Sequence, residues 1–234
     1  MISIIIPVYN GAKTLLNTLQ SIEKQTWRDF EVIIVDDAST DNTQKVFEKF
    51  SHENKLNNFY YYTKREKNYG APASRNYGWK KSKGEFLFFC DADAVLKIDA
   101  LEKMLQALNS HPEVAYAYSS FYWGKKLFKL WPFDAERLKK MPYIHTMSLI
   151  RRKAFPENGW DESIKKFQDW DLWLTMLKNG QQGVFIDDVL FQIKPTGSIS
   201  SWIPSFSYKF LPFLPSVKKY NEAMSVIKKK HFLN

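Results

Sequence analysis

Three uninterrupted apolar runs punctuate the first part of the chain, and each stops at polar or acidic residues. Ser3-Ile-Ile-Ile-Pro-Val8 gives way to Tyr9-Asn10-Gly11, Glu31-Val-Ile-Ile-Val35 to Asp36 and Asp37, and Phe86-Leu-Phe-Phe-Cys90 to Asp91-Ala-Asp93. Such runs read as strands buried on both faces. Between the first two, Ala12, Leu15, Leu16, Leu19 and Ile22 recur at helical spacing. Ser39 or Thr40 is placed to cap a second helix, and Phe59 to Thr63 reads as a short further strand. Strands and helices in alternation predict a parallel α/β sheet with right-handed crossovers. In such sheets the ligand crevice lies at the carboxyl ends of the strands. Asp91 and Asp93 fall there. If the extended form persists through them, both carboxylates face one side. They then offer hard oxygen donors to a divalent cation, with a diphosphate supplying further ligands. The competing reading is an Asp-rich turn that caps the next helix.

Asn68-Tyr-Gly-Ala-Pro-Ala-Ser-Arg-Asn-Tyr-Gly78 predicts a helix opening. Gly70 permits a tight turn and Pro72 suits a first helical turn, so Arg75 lies on the opening turns. It either meets strand-end carboxylates or phosphates there, or forms an ordinary surface ion pair. Leu101, Met104, Leu105 and Leu108 make a helical stripe that His111-Pro112 ends, and Val114 to Tyr118 reads as a strand. From Ser119 to Met141 the periodicity fails. Phe121, Trp123, Phe128, Trp131 and Phe133 sit among lysines, either as an acceptor-side surface or as core. Tyr143-Ile-His-Thr-Met-Ser-Leu-Ile150 reads as a strand carrying His145, a residue open to a structural or a ligand role. Phe167 to Leu177 reads as a helix closed by Asn179-Gly180, with Asp169 and Asp171 in a first turn where the helix dipole favours acids. Val184 to Ile186 and Val189 to Ile193 give further strands.

Charge changes the picture of the C-terminal part. The chain of 234 residues carries a formal net charge of +9, which points to an anionic partner. From Trp202 to Asn234 there are six Lys against one Glu. The positive charge therefore clusters after the α/β body, an arrangement that argues against a nucleic-acid-binding face. Trp202 to Pro215 holds three prolines and five aromatics and predicts no regular helix. Val217, Tyr220, Met224 and Ile227 then form an apolar stripe beside Lys218, Lys219 and Lys228 to Lys230. This basic amphipathic helix either lies on an anionic membrane surface or packs on its own domain. The single cysteine, Cys90, falls in a buried strand, which fits a reducing compartment. No basic leader precedes Ile2 and no apolar stretch approaches a membrane span. The expectation is a cytoplasmic protein, peripheral on a membrane if the tail binds one.

Ser3-Ile-Ile-Ile-Pro-Val-Tyr-Asn10, Val35-Asp-Asp-Ala-Ser-Thr-Asp41, Gly70-Ala-Pro-Ala-Ser-Arg-Asn-Tyr-Gly78, Asp91-Ala-Asp93 and Gln168-Asp-Trp-Asp-Leu-Trp-Leu174 together resemble a family 2 glycosyltransferase. The resemblance implies the GT-A fold, a Rossmann-like, mostly parallel sheet flanked by helices, here followed by a C-terminal basic amphipathic appendage. It divides the chain into a transferase domain over residues 1–200 and a tail over 201–234, the domain having a nucleotide-binding part to about residue 95 and an acceptor-side part beyond it. It further implies inverting transfer of one sugar from a nucleotide-diphosphate donor, UDP by family frequency, to a hydroxyl of a glycan or lipid-linked acceptor.

In that resemblance Pro7, Val8 and Tyr9 line the base and ribose pocket and Asp37 bonds the base. Arg75 supports the diphosphate side. Asp91 faces the ribose or the metal, and Asp93 holds Mn²⁺ or Mg²⁺. Asp169 is the general base, with Trp170, Gln168 and His145 toward the sugar and acceptor. Two positions depart from the family pattern. Gln168 stands where Glu is frequent, and Lys194 stands where many members place a histidine near the metal or diphosphate. A protonated lysine binds phosphate but does not ligate a cation, so metal dependence is the less firmly implied property. The Gln-x-x-Arg-Trp signature of processive synthases is absent. A nucleotidyltransferase would carry a Gly-rich basic loop after the first strand, where this chain has Val-Tyr-Asn-Gly. The alternatives kept are a catalytically inactive protein of the same fold and a basic nucleotide- or membrane-binding protein.

Overall fold

The structure, a computed structural model, describes residues 1–54, 59–194 and 214–233. The apolar runs form strands as their hydrophobicity demands. β1 (Ile2–Val8), β2 (Phe30–Asp36) and β4 (Phe86–Phe89) lie side by side, with β3 (Tyr60–Lys64) outside β2. All the pairings in this block are parallel. Ile2, Ile4, Ile5 and Ile6 are fully buried, as are Leu87, Phe88 and Phe89. Because the strands run the same way, Tyr9, Asp37 and Asp91 emerge at one edge of the sheet.

Beyond β4 the sheet becomes mixed. β8 (Leu149–Arg151) runs antiparallel to β4, and β6 (Tyr116–Trp123) antiparallel to β8. β9 (Gly183–Ile193) is parallel to β6, and β5 (Ala94–Leu96) closes the order antiparallel to β9. The full order is β3-β2-β1-β4-β8-β6-β9-β5, with β7 (Lys126–Phe128) paired to β6 as a hairpin. The sheet is thus parallel through its first half, as predicted, and mixed through the second.

Among the helices, α1 (Leu15–Glu23) packs on β5 and on α2 (Thr43–Glu53). α3 (Ala71–Lys81) packs on β1 and β2, and α4 (Ala100–Ser110) packs on β6, β8 and β9. α5 (Ala135–Lys140) lies against α6 (Gln168–Lys178), and α7 (Pro215–Lys230) follows the undescribed segment. The predicted stripes hold: Leu15, Leu19 and Ile22 in α1 and Leu101, Met104, Leu105 and Leu108 in α4 are buried.

Four local expectations are corrected. The second helix opens at Thr43 with Asn42 before it, and Ser39 instead accepts the Asn10 N–H, 2.9 Å away. The region from Ser119, where the periodicity fails, begins with regular structure, because β6 continues to Trp123 and turns into β7. Its rings Phe121 and Phe128 stack in parallel, and Phe121 stacks on Phe191 of β9 as well. Residues 143–148 are irregular, and only Leu149–Arg151 form a strand. The two strands read around residues 184–193 are one strand, irregular in register where it faces Ser119 to Phe121.

The aromatic, proline-rich stretch lies, as far as residue 213, outside the described residues. The stripe after it packs on the body: Val217 and Ile227 are fully buried, and Met224 lies against the core. Among the described residues no helix is long and apolar enough to cross a membrane. Cys90 is fully buried. Burial first, and then the charges of Asp91 and Asp93, push its thiol well above the usual range.

Gly78 is where α3 meets the sheet. A Cβ there would stand 2.5 Å from Ile5 Cγ2 and 3.2 Å from Val35 Cγ2. Gly78→Ala would gain about 1 kcal/mol of helix propensity. Overpacking of a full core costs about 1–3 kcal/mol, and both neighbours are buried strand residues. The expected outcome is a lower urea midpoint for Gly78→Ala; an unchanged or higher midpoint would show that α3 can lift off the sheet without cost.

Candidate active site

The loops at the strand ends are tied to one another before any ligand is considered. Asn10 takes up a left-handed backbone conformation (φ 53°) after β1. Its side-chain oxygen accepts the Thr40 N–H at 2.8 Å. Asp41 accepts from Ala12 at 3.0 Å, and Thr43 Oγ1 from the Gly11 N–H at 2.9 Å. From sequence, Asn10 and Gly11 carried a turn signal but not this lacing. The polar Asn-Gly pair facing Ser39-Thr-Asp41 across the edge was its signal.

Asp37 is buried, and its carboxylate accepts the Tyr69 and Gly70 N–H groups at 3.1 and 2.7 Å. It thereby fixes the turn that starts α3, where Gly70 has φ 91°. Pro7 is half-buried, Val8 is buried and Tyr9 is exposed on the same edge. Tyr9 therefore presents a free ring beside the Asp37 loop.

Arg75 follows from this placement. Its side chain is 8% exposed and donates to Asp91 Oδ1 at 3.1 Å and to Gln168 Oε1 at 2.9 Å. The guanidinium also lies over the Trp160 ring, 4.7 Å from its centroid. A buried guanidinium needs such partners, since an unpaired charge is costly away from water. Among the described residues its Nε has no hydrogen-bond partner. The next residue, Asn76, clamps the Trp160 backbone with two bonds of 2.8 Å. Trp160 and Asn76 were not singled out from sequence; the Arg-Asn pair and Gly159-Trp160 carried the signal.

Asp91 lies just beyond β4, and the chain then turns, with the Ala94 N–H bonded to the Asp91 carbonyl at 3.1 Å. The extended form does not persist, so strand alternation does not align Asp91 with Asp93. The two carboxylates nevertheless feel each other. Burial, and next the charge of Asp91, push Asp93 up to about 6. Such a pair fits a divalent cation, whose charge relieves both burdens. Among the described residues no group of three or more His, Cys, Asp and Glu side chains converges. The remaining oxygen ligands would come from a diphosphate and water. Lys194 donates its backbone N–H to the Asp93 carbonyl at 2.8 Å. Its exposed side chain borders a shallow surface pocket with Asn17, Gln20 and Lys24.

His145 comes from the irregular stretch yet reaches the same point. Its Nδ1 accepts the Met147 N–H at 3.1 Å, which puts the proton of the neutral ring on Nε2. Nε2 faces Asp91 Oδ2 at 3.8 Å, between the Phe121 and Phe191 rings. Burial lowers its pKa, and the charges of Asp91 and Asp169 oppose that. Asp169 opens α6 and accepts the Trp170 N–H at 2.9 Å. Burial raises its pKa, while His145 and Arg75 hold it down.

Arg75, Asp91, Gln168, His145 and Asp169 therefore share one site, with Asp93 beside it. Trp170 does not line it. The indole is fully buried and donates to the Leu138 carbonyl at 2.6 Å, so it supports α6 from within.

A family model described as Glycosyl transferase family 2 matches residues 3–159. A glycosyltransferase of Methanocaldococcus jannaschii, described as uncharacterised, is 25% identical over 83% of this chain and 70% of its own length. An uncharacterised glycosyltransferase of Rickettsia felis is 26% identical over 88% of this chain and 35% of its own, so the chain spans about a third of that relative. Among solved structures, S. aureus TarS 1-349 in complex with UDP-GlcNAc superposes with a TM-score of 0.72 at 22% identity, over 91% of this chain and 64% of that one. The mannosyltransferase PcManGT of Pyrobaculum calidifontis, in complex with GDP-Man and Mn²⁺, gives 0.69 at 18% identity, over 85% and 58%. These two likenesses establish a shared GT-A architecture.

Asp93 has a pH signature. Its folded pKa is raised from 3.8 to about 6. The folded chain therefore keeps a proton that the unfolded chain has lost, and stability falls as pH rises through that window. In metal-free buffer Asp93→Asn should melt higher than the parent protein at pH 7.5, with the gap closing below pH 4. Equal gaps at both pH values would contradict the burial of this carboxylate.

Proposed function

The chain belongs to glycosyl transferase family 2, and from that premise we propose that it transfers one sugar, with inversion, from a nucleoside-diphosphate donor to an acceptor hydroxyl. The observation that carries this reading is the meeting of Asp169 with Arg75, Asp91 and His145 at the carboxyl edge of the sheet. Inversion is a single in-line displacement at the anomeric carbon. It requires one carboxylate to take the acceptor's proton and positive charge near the leaving diphosphate.

Asp169 is the base. Its raised pKa makes it a better proton acceptor, and the charge of Arg75 opposes that rise. Arg75, held by Asp91 and Gln168, sets the positive charge on the diphosphate side. Its unpartnered Nε is a donor available there. The nucleoside lies along Pro7, Val8 and Tyr9, and Asp37 meets the base with the lone pairs that Tyr69 and Gly70 leave. A divalent cation held by Asp93 and Asp91 would supply further charge to the leaving group. Lys194, tied to Asp93 only through its backbone N–H, is the candidate for a further phosphate contact. UDP as the nucleotide draws support from the UDP-GlcNAc bound by TarS, and Mn²⁺ from its presence with PcManGT. The acceptor is a glycan or lipid-linked hydroxyl. The burial of Val217 and Ile227 supports taking residues 1–194 and α7 together in the transfer.

A panel of nucleotide sugars tests this, read as binding and slow hydrolysis with and without Mn²⁺. One UDP-sugar should bind more tightly with Mn²⁺. Asp169→Asn should cut its hydrolysis by about 10²–10⁴-fold while nucleotide binding stays. Failure of every nucleotide sugar to bind under either condition would remove the reading.

A further inference from the structure

Helix α7 grips the opening turn of α6 from both ends. On one side Phe167 precedes α6 in a left-handed conformation (φ 59°). Its ring meets Tyr220 of α7 edge-on at 4.9 Å. On the other side Asp171 is 5% exposed, and its carboxylate is held by two groups at the end of α7. Lys230 Nζ stands 2.7 Å from Oδ1 and 2.8 Å from Oδ2, and His231 Nε2 stands 2.8 Å from Oδ1. Lys230 also reaches Asp161 at 2.7 Å. Ile227, fully buried, anchors α7 between these contacts, and Val217, also fully buried, anchors it just before them. The residues enclosed by the grip are Gln168, Asp169 and Trp170.

A buried carboxylate needs paired charges or donors to stay buried. The partners of Asp171, the Lys230 ammonium and the His231 ring, come from the C-terminal end of α7, more than fifty residues away in sequence. The turn that bears Asp169 is therefore held by Arg75 through Gln168, and by α7 through Phe167 and Asp171. None of the α7 residues lies within the 3–159 stretch that the family model matches. We propose that Lys230 and His231 are positioning residues for the transfer, acting through Asp171 to fix Asp169 against the acceptor hydroxyl. The helix read as a tail is then part of the catalytic machinery. This inference rests on Asp169 being the base.

The test compares His231→Ala, His231→Gln and the exposed α7 control Lys219→Ala. One readout is steady-state release of UDP from UDP-GlcNAc with Mn²⁺. The other is hydrogen exchange of the 167–172 backbone, which needs no activity. His231→Ala should exchange faster over 167–172 and lose about 10–100-fold in kcat, the scale of a small misplacement of a reacting group. Its KM should stay within about twofold, since donor binding is untouched. His231→Gln, whose side-chain N–H can still donate to Asp171, should recover most of both, and Lys219→Ala should match the parent. If His231→Ala does not fold, His231→Asn, too short to reach Asp171, takes its place with the same expectation. Unchanged exchange, faster exchange with full kcat, or equal losses in the Gln variant would each overturn the proposal. Should the parent protein release no UDP from any UDP-sugar, the function proposed above fails instead. The exchange comparison then decides alone whether α7 holds this turn.

Discussion

A buried guanidinium on α3 sets the terms for this molecule. Arg75 cannot sit 8% exposed without partners, and those it has come from three separate elements. Asp91 follows a parallel strand, Gln168 opens α6 and Trp160 belongs to the loop before it. Removing a partner from a buried charge is typically worse than removing the pair, by about 3–5 kcal/mol. The first-half sheet, the β4 turn and α6 are thereby bound to one relative position. Gln168 matters in this arrangement because it is neutral. It holds Arg75 in place without adding a second negative charge, so among the described residues the ion pair of Arg75 is with Asp91.

The acids around that cation occupy different environments. Asp37 is spent on backbone N–H groups and shapes a loop. Asp171 is spent on α7. Asp93 and Asp169 are the carboxyls whose pKa values burial raises. Groups held in unfavourable ionisation states stand out as functional because stability alone would have removed them. The parallel half of the sheet delivers the first pair of strand-end acids. The mixed half turns the chain back so that His145 and α6 face them.

Much of this was legible in the sequence, and the gaps have physical causes. Unbroken runs such as Ile4–Ile6 and Phe86–Phe89 identified buried parallel strands, because full burial demands apolar residues on both faces. The carboxylates at their ends could be read for the same reason. The geometry of Asp91 and Asp93 could not, since whether a strand persists for two more residues depends on a backbone bond from Ala94 to Asp91. Residues 143–148 have the composition of a strand, yet the Ile144 carbonyl is claimed by the Trp173 indole instead of a ladder. The resemblance set Trp170 toward the sugar and acceptor, while the partner that holds its indole in the core, the Leu138 carbonyl, lies thirty-two positions earlier. The same blindness to distant partners left the amphipathic C-terminal stripe with two readings. Val217 and Ile227 decide in favour of packing on the body, and the charge at Lys230 has a buried carboxylate to meet.

The burial of Cys90 has a practical side. It is the only thiol in the chain, it has no exposed surface, and its environment keeps it protonated at neutral pH. Thiolate is the form that reacts with maleimides and alkyl halides. The native background is therefore already silent toward such reagents. A cysteine introduced at an exposed position, on the β6–β7 hairpin or on the outer face of α7, would accept a single fluorophore or spin label without prior removal of the natural thiol. Movements of these elements during a reaction cycle could then be followed in an otherwise unaltered protein.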